Sequence, residues 1–255
     1  MERIAYGSDP LQFGDLRLPR DAGLHPVVIV IHGGFWRARY DLEYIGHLCA
    51  ALTAAGIATW SLEYRRIGNP GGGWPGTLQD VARGADHLRL MAVTHRLDLA
   101  RVIALGHSAG GHLALWLGSR RKIPPDNPLH THDPLHLAGI VSLAGVADLK
   151  RAWELRLSNT VVADFLGGSP EEAPDRYHVA SPIEQLPFDI PQKLLHGTAD
   201  MDVPFELSER YVSAATARGD AADLITLDDA GHFELVDPRT KEFARGREAV
   251  QELLL

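Results

Sequence analysis

The chain has 255 residues, 45% of them hydrophobic and 23% charged, which is ordinary for a globular protein with one core and excludes a disordered chain, a coiled coil and a fibrous repeat. Lysine and arginine number 25 against 33 acidic residues, and the net charge of −8 disfavours nucleic acid or an anionic membrane surface as a partner. The single cysteine, Cys49, can form neither an internal disulfide nor a cysteine-based metal site.

The N-terminal residues lack the features of a secretion signal. Residues 1–15 contain no charged start followed by an apolar stretch, and no apolar run approaches the roughly 20 residues that span a bilayer. A lone free thiol fits a reducing compartment. We therefore expect a cytoplasmic protein without a membrane segment.

The N-terminal half alternates predicted strands and helices. Residues 2–18 predict two short antiparallel strands around a turn. The β-branched run Val27–Ile31 predicts a strand that is buried on both faces. The pattern then continues with a helix over 42–56, a strand over 57–64, a helix over 77–95, a strand over 101–106 and a helix over 109–120.

The C-terminal half keeps the alternation, with one interruption. It predicts strands over 137–145, 192–197 and 223–228 and helices over 205–219 and 241–255. Residues 148–187 are irregular and, at about 40 residues, too long for an ordinary connection. The order predicts a single α/β domain over 1–255, with a mostly parallel central sheet, helices on both faces and a short lid-like insertion at about 148–187.

A serine stands at the junction of a predicted strand and a predicted helix. Gly106-His107-Ser108-Ala109-Gly110 matches G-x-S-x-G, and in this context the sharp turn forces the hydroxyl outward above the sheet. Glycines are needed because side chains at both flanking positions would collide across the turn. The helix N-terminus behind the serine also favours developing negative charge. We predict that Ser108 is a catalytic nucleophile.

A serine hydroxyl needs a base, and the chain has 13 histidines. His232 follows the last predicted strand and precedes the last helix, which places it at the same sheet edge as Ser108. His107 and His112 flank the nucleophile; His112 is expected to pack against the sheet or to line the floor of the site. We predict that His232 is the base.

The acid that orients the base should follow the preceding strand. Asp200, four residues after the end of the strand at His196, is the first choice, and Asp202 is the alternative within the same loop. Asp148, one strand earlier, is a third candidate. His196 itself is expected to shape the loop that carries the acid.

Acyl transfer also needs hydrogen-bond donors for an oxyanion. HGGFW, residues 32–36, follows the buried strand over 27–31, and its two glycines let backbone N–H groups point into the site. We predict donors at Gly34 or Phe35, together with the N–H of Ala109, the residue after the nucleophile.

These motifs together resemble the α/β-hydrolase fold over nearly the full chain. HGGFW and GHF are similar to the motifs of kynurenine formamidases and of small acetyl or feruloyl esterases, and HGTAD resembles the acid loop of the prolyl-oligopeptidase-like group. A YR…P…L…DV pattern of hormone-sensitive-lipase-like and prolyl-oligopeptidase-like esterases is matched by Tyr64, Arg65, Pro75, Leu78, Asp80 and Val81. The resemblance implies a serine hydrolase that uses Ser108, Asp200 and His232.

The predicted substrate is a carboxylic ester with a small or aromatic acyl group, because a lid of about 40 residues would leave little room for a polymer. An N-formylkynurenine-type amidase, motivated by HGGFW, and a small exopeptidase, motivated by HGTAD, are alternatives. A noncatalytic ligand receptor on the same scaffold is a further hypothesis, against which the complete set of catalytic residues argues.

Aromatic and charged residues near the motifs could contact a substrate. Trp36, Phe233 and Trp153 are predicted to be substrate-binding. Arg65 and Arg66 could bind a carboxylate, but such arginines are more often tied to an internal acid.

Other binding partners receive little support. His130, His132 and His136 could chelate a metal, but their proline-rich surroundings favour an exposed loop, and a serine hydrolase needs no metal. No nucleotide-binding glycine loop occurs. We expect no cofactor, a small-molecule ester or amide as the partner, and a homodimer as an option for assembly.

Overall fold

The computed structural model of the protein describes residues 1–255 and centres on one eight-stranded sheet. The strands are β1 (Glu2–Ala5), β2 (Phe13–Arg17), β3 (His25–Ile31), β4 (Ala58–Leu62), β5 (Leu97–His107), β6 (Gly139–Leu143), β7 (Gln192–Gly197) and β8 (Ala222–Leu227). They are ordered β1-β2-β4-β3-β5-β6-β7-β8, and the pairings of β2 with β1 and with β4 are antiparallel while the other five pairings are parallel. The predicted mostly parallel sheet is confirmed.

Strands β3 and β5 lie side by side at the centre of the sheet. The chain leaves β3 toward β4 on one side and leaves β5 toward β6 on the other, so the direction of winding reverses between them. Such a reversal opens a crevice at the carboxyl ends of the strands. HGGFW follows β3 and Ser108 follows β5, so both motifs reach this crevice.

Helices cover both faces of the sheet, as predicted. They are α1 (Gly46–Ala54), α2 (Gly76–Asp86), α3 (Leu88–His95), α4 (Ala109–Ser119), α5 (Leu149–Glu154), α6 (Val161–Leu166), α7 (Pro174–Ala180), α8 (Glu206–Ala217) and α9 (Lys241–Leu253). Short 3-10 helices occur at Leu42–Ile45, Arg120–Lys122, Pro182–Gln185 and Glu234–Val236. The single helix predicted over 77–95 is two helices that meet at His87, where the backbone stays helical, so the division is a bend rather than a loop.

The core is divided between the two faces by strand alternation. Val28 and Val30 of β3 belong to the apolar cluster under α1 and α9, while Ile29 belongs to the larger cluster under α2, α3, α4 and α8. This explains why the run over 27–31 is uniformly apolar. None of the helices combines the length and the hydropathy that crossing a membrane requires.

The predicted insertion over 148–187 forms the short helices α5, α6 and α7 and one 3-10 helix. Its buried side chains, including Val162, Phe165 and Leu166, join the larger apolar cluster. The insertion is therefore part of the main core and packs as an extension of it.

Candidate active site

The turn between β5 and α4 holds Ser108 in a left-handed conformation, with φ 59° and ψ −123°. A Cβ at Gly106 would stand 1.9 Å from the Gly110 carbonyl oxygen, and a Cβ at Gly110 would stand 2.0 Å from the Ile31 oxygen. Only glycine fits at either position. Positive φ at a non-glycine residue costs on the order of 1–3 kcal/mol and marks functional turns.

The loop after β7 supplies the acid that contacts His232. The Nδ1 of His232 lies 2.6 Å from Oδ2 of Asp200, whose Oδ1 accepts the backbone N–H groups of Asp202 at 2.8 Å and Val203 at 2.9 Å. Burial alone would raise the pKa of Asp200, but hydrogen bonds from His196, His232 and the Val203 amide hold it well below its ordinary value. The Asp200 carboxylate is therefore ionised at neutral pH.

The Asp200 contact also determines which nitrogen of His232 carries a hydrogen. An ionised carboxylate can only accept, so Nδ1 donates and Nε2 is left with its lone pair. Ser108 and His232 line the same cleft. Ser108 makes no hydrogen bond to His232 in this structure, and contacts of this kind commonly close only when substrate is bound.

The two alternative acids have other contacts. Asp202 is exposed and is not hydrogen-bonded to His232. Asp148 caps α5 by accepting the Arg151 N–H at 3.0 Å and pairs with Arg210 at 3.1 Å. Of the three candidates, only Asp200 is hydrogen-bonded to His232.

His196 lies buried beneath the acid. Its Nε2 is 2.9 Å from the Val203 carbonyl and 3.3 Å from Oδ2 of Asp200, and its Nδ1 is 2.7 Å from Oγ of Ser208. A carbonyl oxygen can only accept, so Nε2 carries the hydrogen and Nδ1 accepts from the serine. His196 thus shapes the acid loop, as expected from sequence.

The segment after β3 brings backbone N–H groups close to Ser108. A Cβ at Gly33 would stand 2.8 Å from the Ser108 Cβ, so the two loops nearly touch. Gly34 and Phe35 have positive φ, at 101° and 52°, and their N–H groups have no acceptor within the protein. Ala109 is the first residue of α4, so its N–H has no intrahelical acceptor either.

A cleft of about 740 Å³ opens beside Ser108. It runs between the segment after β3, the start of α1 and the segment over 232–239. Its walls include Phe35, Tyr40, His47 and Phe233. Phe233 is 59% exposed on the cleft, where sequence analysis expected it.

The other two predicted substrate-binding residues do not line this cleft. Trp36 is fully buried: its left-handed backbone turns the indole beneath the insertion, where it stacks on Phe165 at 4.7 Å and donates to Nδ1 of His112 at 3.2 Å. Trp153 packs against the same core from α5. No residue of the insertion lines the cleft, so the expectation that the insertion restricts substrate size does not apply to it.

The two arginines after β4 are tied to internal acids. Arg65 makes a bidentate pair with Asp80, with both distances at 2.7 Å. Arg66 pairs with Glu63 at 2.5 Å. Neither guanidinium is free to bind a substrate carboxylate, in agreement with the interpretation from sequence.

Metal-binding groups are brought together at one place. A ring nitrogen of His232 and carboxylate oxygens of Asp200 and Asp202 lie within 4.8 Å of one another. Both Asp200 oxygens already accept N–H groups, from Val203 and His232. The three histidines over 130–136 form no such group.

Tyr44 is a site residue that sequence analysis missed. Its hydroxyl accepts the Gly33 N–H at 2.6 Å and lies 3.0 Å from Nδ1 of His107. It belongs to no motif, because it stands inside what the apolar spacing presents as an ordinary amphipathic helix. Only the folded arrangement shows that this position faces the crevice.

Comparison with known proteins finds one family model and several relatives that match this chain. The BD-FAE family model matches residues 15–214. Kynurenine formamidase of Meyerozyma guilliermondii is 34% identical over 124 residues, which are 48% of this chain and 44% of the relative. Neutral cholesterol ester hydrolase 1 of Rattus norvegicus is 34% identical over 104 residues, 39% of this chain and 25% of the relative. The matches thus span less than half the length of these curated relatives.

Solved structures share the architecture over almost the whole chain. A truncated carbohydrate esterase from gut microbiota superposes with a TM-score of 0.82 and 24% identity, over 98% of this chain and 94% of that one. Thermogutta terrifontis esterase 2, phosphonylated by sarin, superposes with a TM-score of 0.80 and 21% identity, over 99% and 93%. The likeness establishes the α/β-hydrolase fold that the motifs indicated.

Proposed function

The chain belongs to the BD-FAE family, and from this premise we propose that it is a serine hydrolase that cleaves carboxylic esters of small or aromatic acyl compounds. The observation that carries the proposal is the 2.6 Å contact between Asp200 and His232 on the same cleft as the strained Ser108 turn. A nucleophile, an oriented base and free backbone donors are what acyl transfer requires.

The proposed reaction begins with Ser108. Its Oγ attacks the substrate carbonyl carbon while Nε2 of His232 takes the hydroxyl proton. The carbonyl π electrons move to oxygen, and the N–H groups of Gly34 or Phe35 and of Ala109 stabilise the oxyanion. Each such donor is worth on the order of 3 kcal/mol of the barrier.

Collapse of this intermediate releases the alcohol. The bond from carbon to the alcohol oxygen breaks, and the His232 imidazolium gives its proton to that oxygen. Water then attacks the acyl-enzyme with His232 again as the base, and Ser108 recovers its proton when the acid leaves. Asp200 stabilises the imidazolium during both halves because the depressed pKa of its carboxyl keeps it negative.

The cleft supports small or aromatic esters as the substrate class. Its volume of about 740 Å³ lies within the range of small-molecule sites. The rings of Phe35, Tyr40 and Phe233 supply apolar walls for an aromatic group.

An arylformamidase activity is the second candidate. The observation that favours it is the match to kynurenine formamidase, 34% identical over 124 residues. A formamide and an ester pass through the same kind of tetrahedral intermediate, so the same three residues would serve both. The two candidates differ in the group that must fit the cleft and leave.

The test is kcat/KM for p-nitrophenyl acetate beside N-formylkynurenine, with Ser108→Ala as the blank. Turnover of the ester with little turnover of the formamide supports the esterase. Preference for the formamide by orders of magnitude supports the arylformamidase instead. Activity on both substrates that survives in Ser108→Ala contradicts both candidates.

A further inference from the structure

A continuous chain of hydrogen bonds connects three loops around Ser108. The Gly33 N–H donates to the Tyr44 hydroxyl at 2.6 Å, and that oxygen lies 3.0 Å from Nδ1 of His107. Nε2 of His107 in turn lies 2.9 Å from the backbone carbonyl of His232. The segment after β3, the nucleophile turn and the loop of the base are thereby joined through two side chains.

The donor and the acceptor in each of these hydrogen bonds follow from the two end groups, the Gly33 N–H and the His232 carbonyl. The His232 carbonyl can only accept, so Nε2 of His107 carries a hydrogen. A neutral ring then has its lone pair at Nδ1, which accepts the one hydroxyl hydrogen of Tyr44. The tyrosine oxygen is left to accept from Gly33. Each donor meets one acceptor, with no conflict.

Burial keeps His107 and Tyr44, the two side chains of this hydrogen-bond chain, in one protonation state. Burial, aided by repulsion from His232, lowers the pKa of His107 to about 3, so the ring is neutral at any ordinary assay pH. Burial also raises the pKa of the Tyr44 hydroxyl, which therefore keeps its hydrogen. Neither side chain is available to exchange a proton with substrate near neutral pH, so the pair acts on structure rather than on acid-base chemistry.

The bonded groups are those whose positions acyl transfer depends on. Fixing the Gly33 amide orients the next peptide unit, which carries the predicted oxyanion donor at Gly34. Fixing the His232 carbonyl holds the backbone from which the base projects. His107 is itself the residue before the nucleophile.

We infer that Tyr44 and His107 are positioning residues that hold the oxyanion donors and the base in register about Ser108. The inference rests on the proposed function, because it concerns the geometry of that reaction. It assigns neither residue a contact with the reacting atoms. A displacement of about 1 Å in such a site can lower the rate about a hundredfold.

The experiment compares steady-state kinetics and the rate of fluorophosphonate labelling for wild type, four single variants and one double variant. Tyr44→Phe removes the hydroxyl that both neighbours use. His107→Leu removes both ring contacts, whereas His107→Gln keeps one acceptor and one donor. Tyr211→Phe is the matched control, since it deletes another buried hydroxyl. That hydroxyl donates to Oε1 of Gln192 at 2.5 Å and is not part of the site.

Tyr44→Phe and His107→Leu are expected to lower kcat about ten- to hundredfold at nearly unchanged KM. His107→Gln should recover most of the loss, and Tyr211→Phe should keep wild-type kcat even if it melts earlier. The Tyr44→Phe/His107→Leu double variant should be no worse than the poorer single variant, because both break one chain.

The inference is overturned if Tyr44→Phe labels Ser108 as fast as wild type, if the loss appears in KM alone, or if His107→Gln is as impaired as His107→Leu. Failure of the proposed function has a different signature. In that case wild type itself does not react at Ser108, whatever the variants do.

Discussion

Ser108 has two flanks, the surroundings of His107 on one side and of His112 on the other. The two histidines have similar hydrogen bonds but contact different parts of the protein. On one flank His107 accepts from Tyr44 and donates to the His232 carbonyl. On the other flank, Nδ1 of His112 accepts from Trp36 at 3.2 Å and its Nε2 donates to the Ala180 carbonyl at 2.9 Å. Both rings are buried, and burial lowers the pKa of His107 to about 3 and that of His112 to about 4.

What differs is the surroundings of each histidine. The His107 flank opens on the cleft, where Phe233 is exposed and the loop of the base is bonded to the histidine. The His112 flank is closed by the stack of Trp36 on Phe165 and by the insertion. A neutral, hydrogen-bonded histidine thus contacts the loop of His232 on the open flank and the buried Trp36 and Ala180 on the closed flank.

The largest effect on activity is expected from replacing Ser108 or His232. Ser108→Ala and His232→Ala should each lower kcat on the order of 10⁴- to 10⁶-fold, and the double variant should be hardly worse, because the two residues act as one unit. Kinetics with p-nitrophenyl acetate check this. Losses that multiply in the double variant would show that the two residues act separately.

The next largest effect on activity is expected from replacing Asp200, which is hydrogen-bonded to His232. Asp200→Asn should lower kcat on the order of 10⁴-fold, since the amide cannot stabilise an imidazolium and disturbs the tautomer of His232. Asp202→Asn, in the same loop, is the matched control and should change kcat little. If Asp202→Asn is the more damaging substitution, the acid has been assigned to the wrong residue.

On the closed flank the expected loss is in stability. Phe165→Ala removes the buried partner of Trp36 and should lower the free energy of unfolding by about 3–5 kcal/mol. Turnover per labelled active site should stay close to that of wild type. Chemical denaturation measures the first quantity, and kinetics normalised to fluorophosphonate labelling measure the second. A variant of normal stability with poor turnover would reverse the roles given to the two flanks.

The smallest effect concerns acid sensitivity. His112 stays neutral in the folded state down to about pH 4, whereas the unfolded chain protonates it below its ordinary pKa of 6.5. The unfolded state therefore binds more protons, and stability falls as pH drops from 6.5 toward 4. His112→Gln, which can keep both hydrogen bonds, should reduce the stability difference between pH 7 and pH 5 by about 2 kcal/mol. Denaturation at the two pH values checks this, and an unchanged difference would contradict it.

Features that depend on local geometry were predictable from sequence. The Ser108 turn needs glycine at both flanking positions for steric reasons that any chain would share. The run over 27–31 had to be a strand buried on both faces, because no polar residue interrupts it. The order of elements then put His232 and Asp200 at one edge of the sheet.

Features that depend on tertiary contacts were not predictable from sequence. Trp36 was expected on the substrate, but the backbone is left-handed at Phe35 and Trp36, and the indole stacks on Phe165, about 130 residues away in sequence. The sequence also did not show that apolar side chains of the insertion join the core around the sheet. Tyr44 showed no signal, because its partners come from two distant loops.

The most direct test of the central claim is to map the adduct formed by a fluorophosphonate probe on the folded protein by peptide mass spectrometry. The account predicts one adduct, on Ser108, that forms much more slowly in His232→Ala. An unlabelled folded wild type, or an adduct on another serine with Ser108 free, would contradict it.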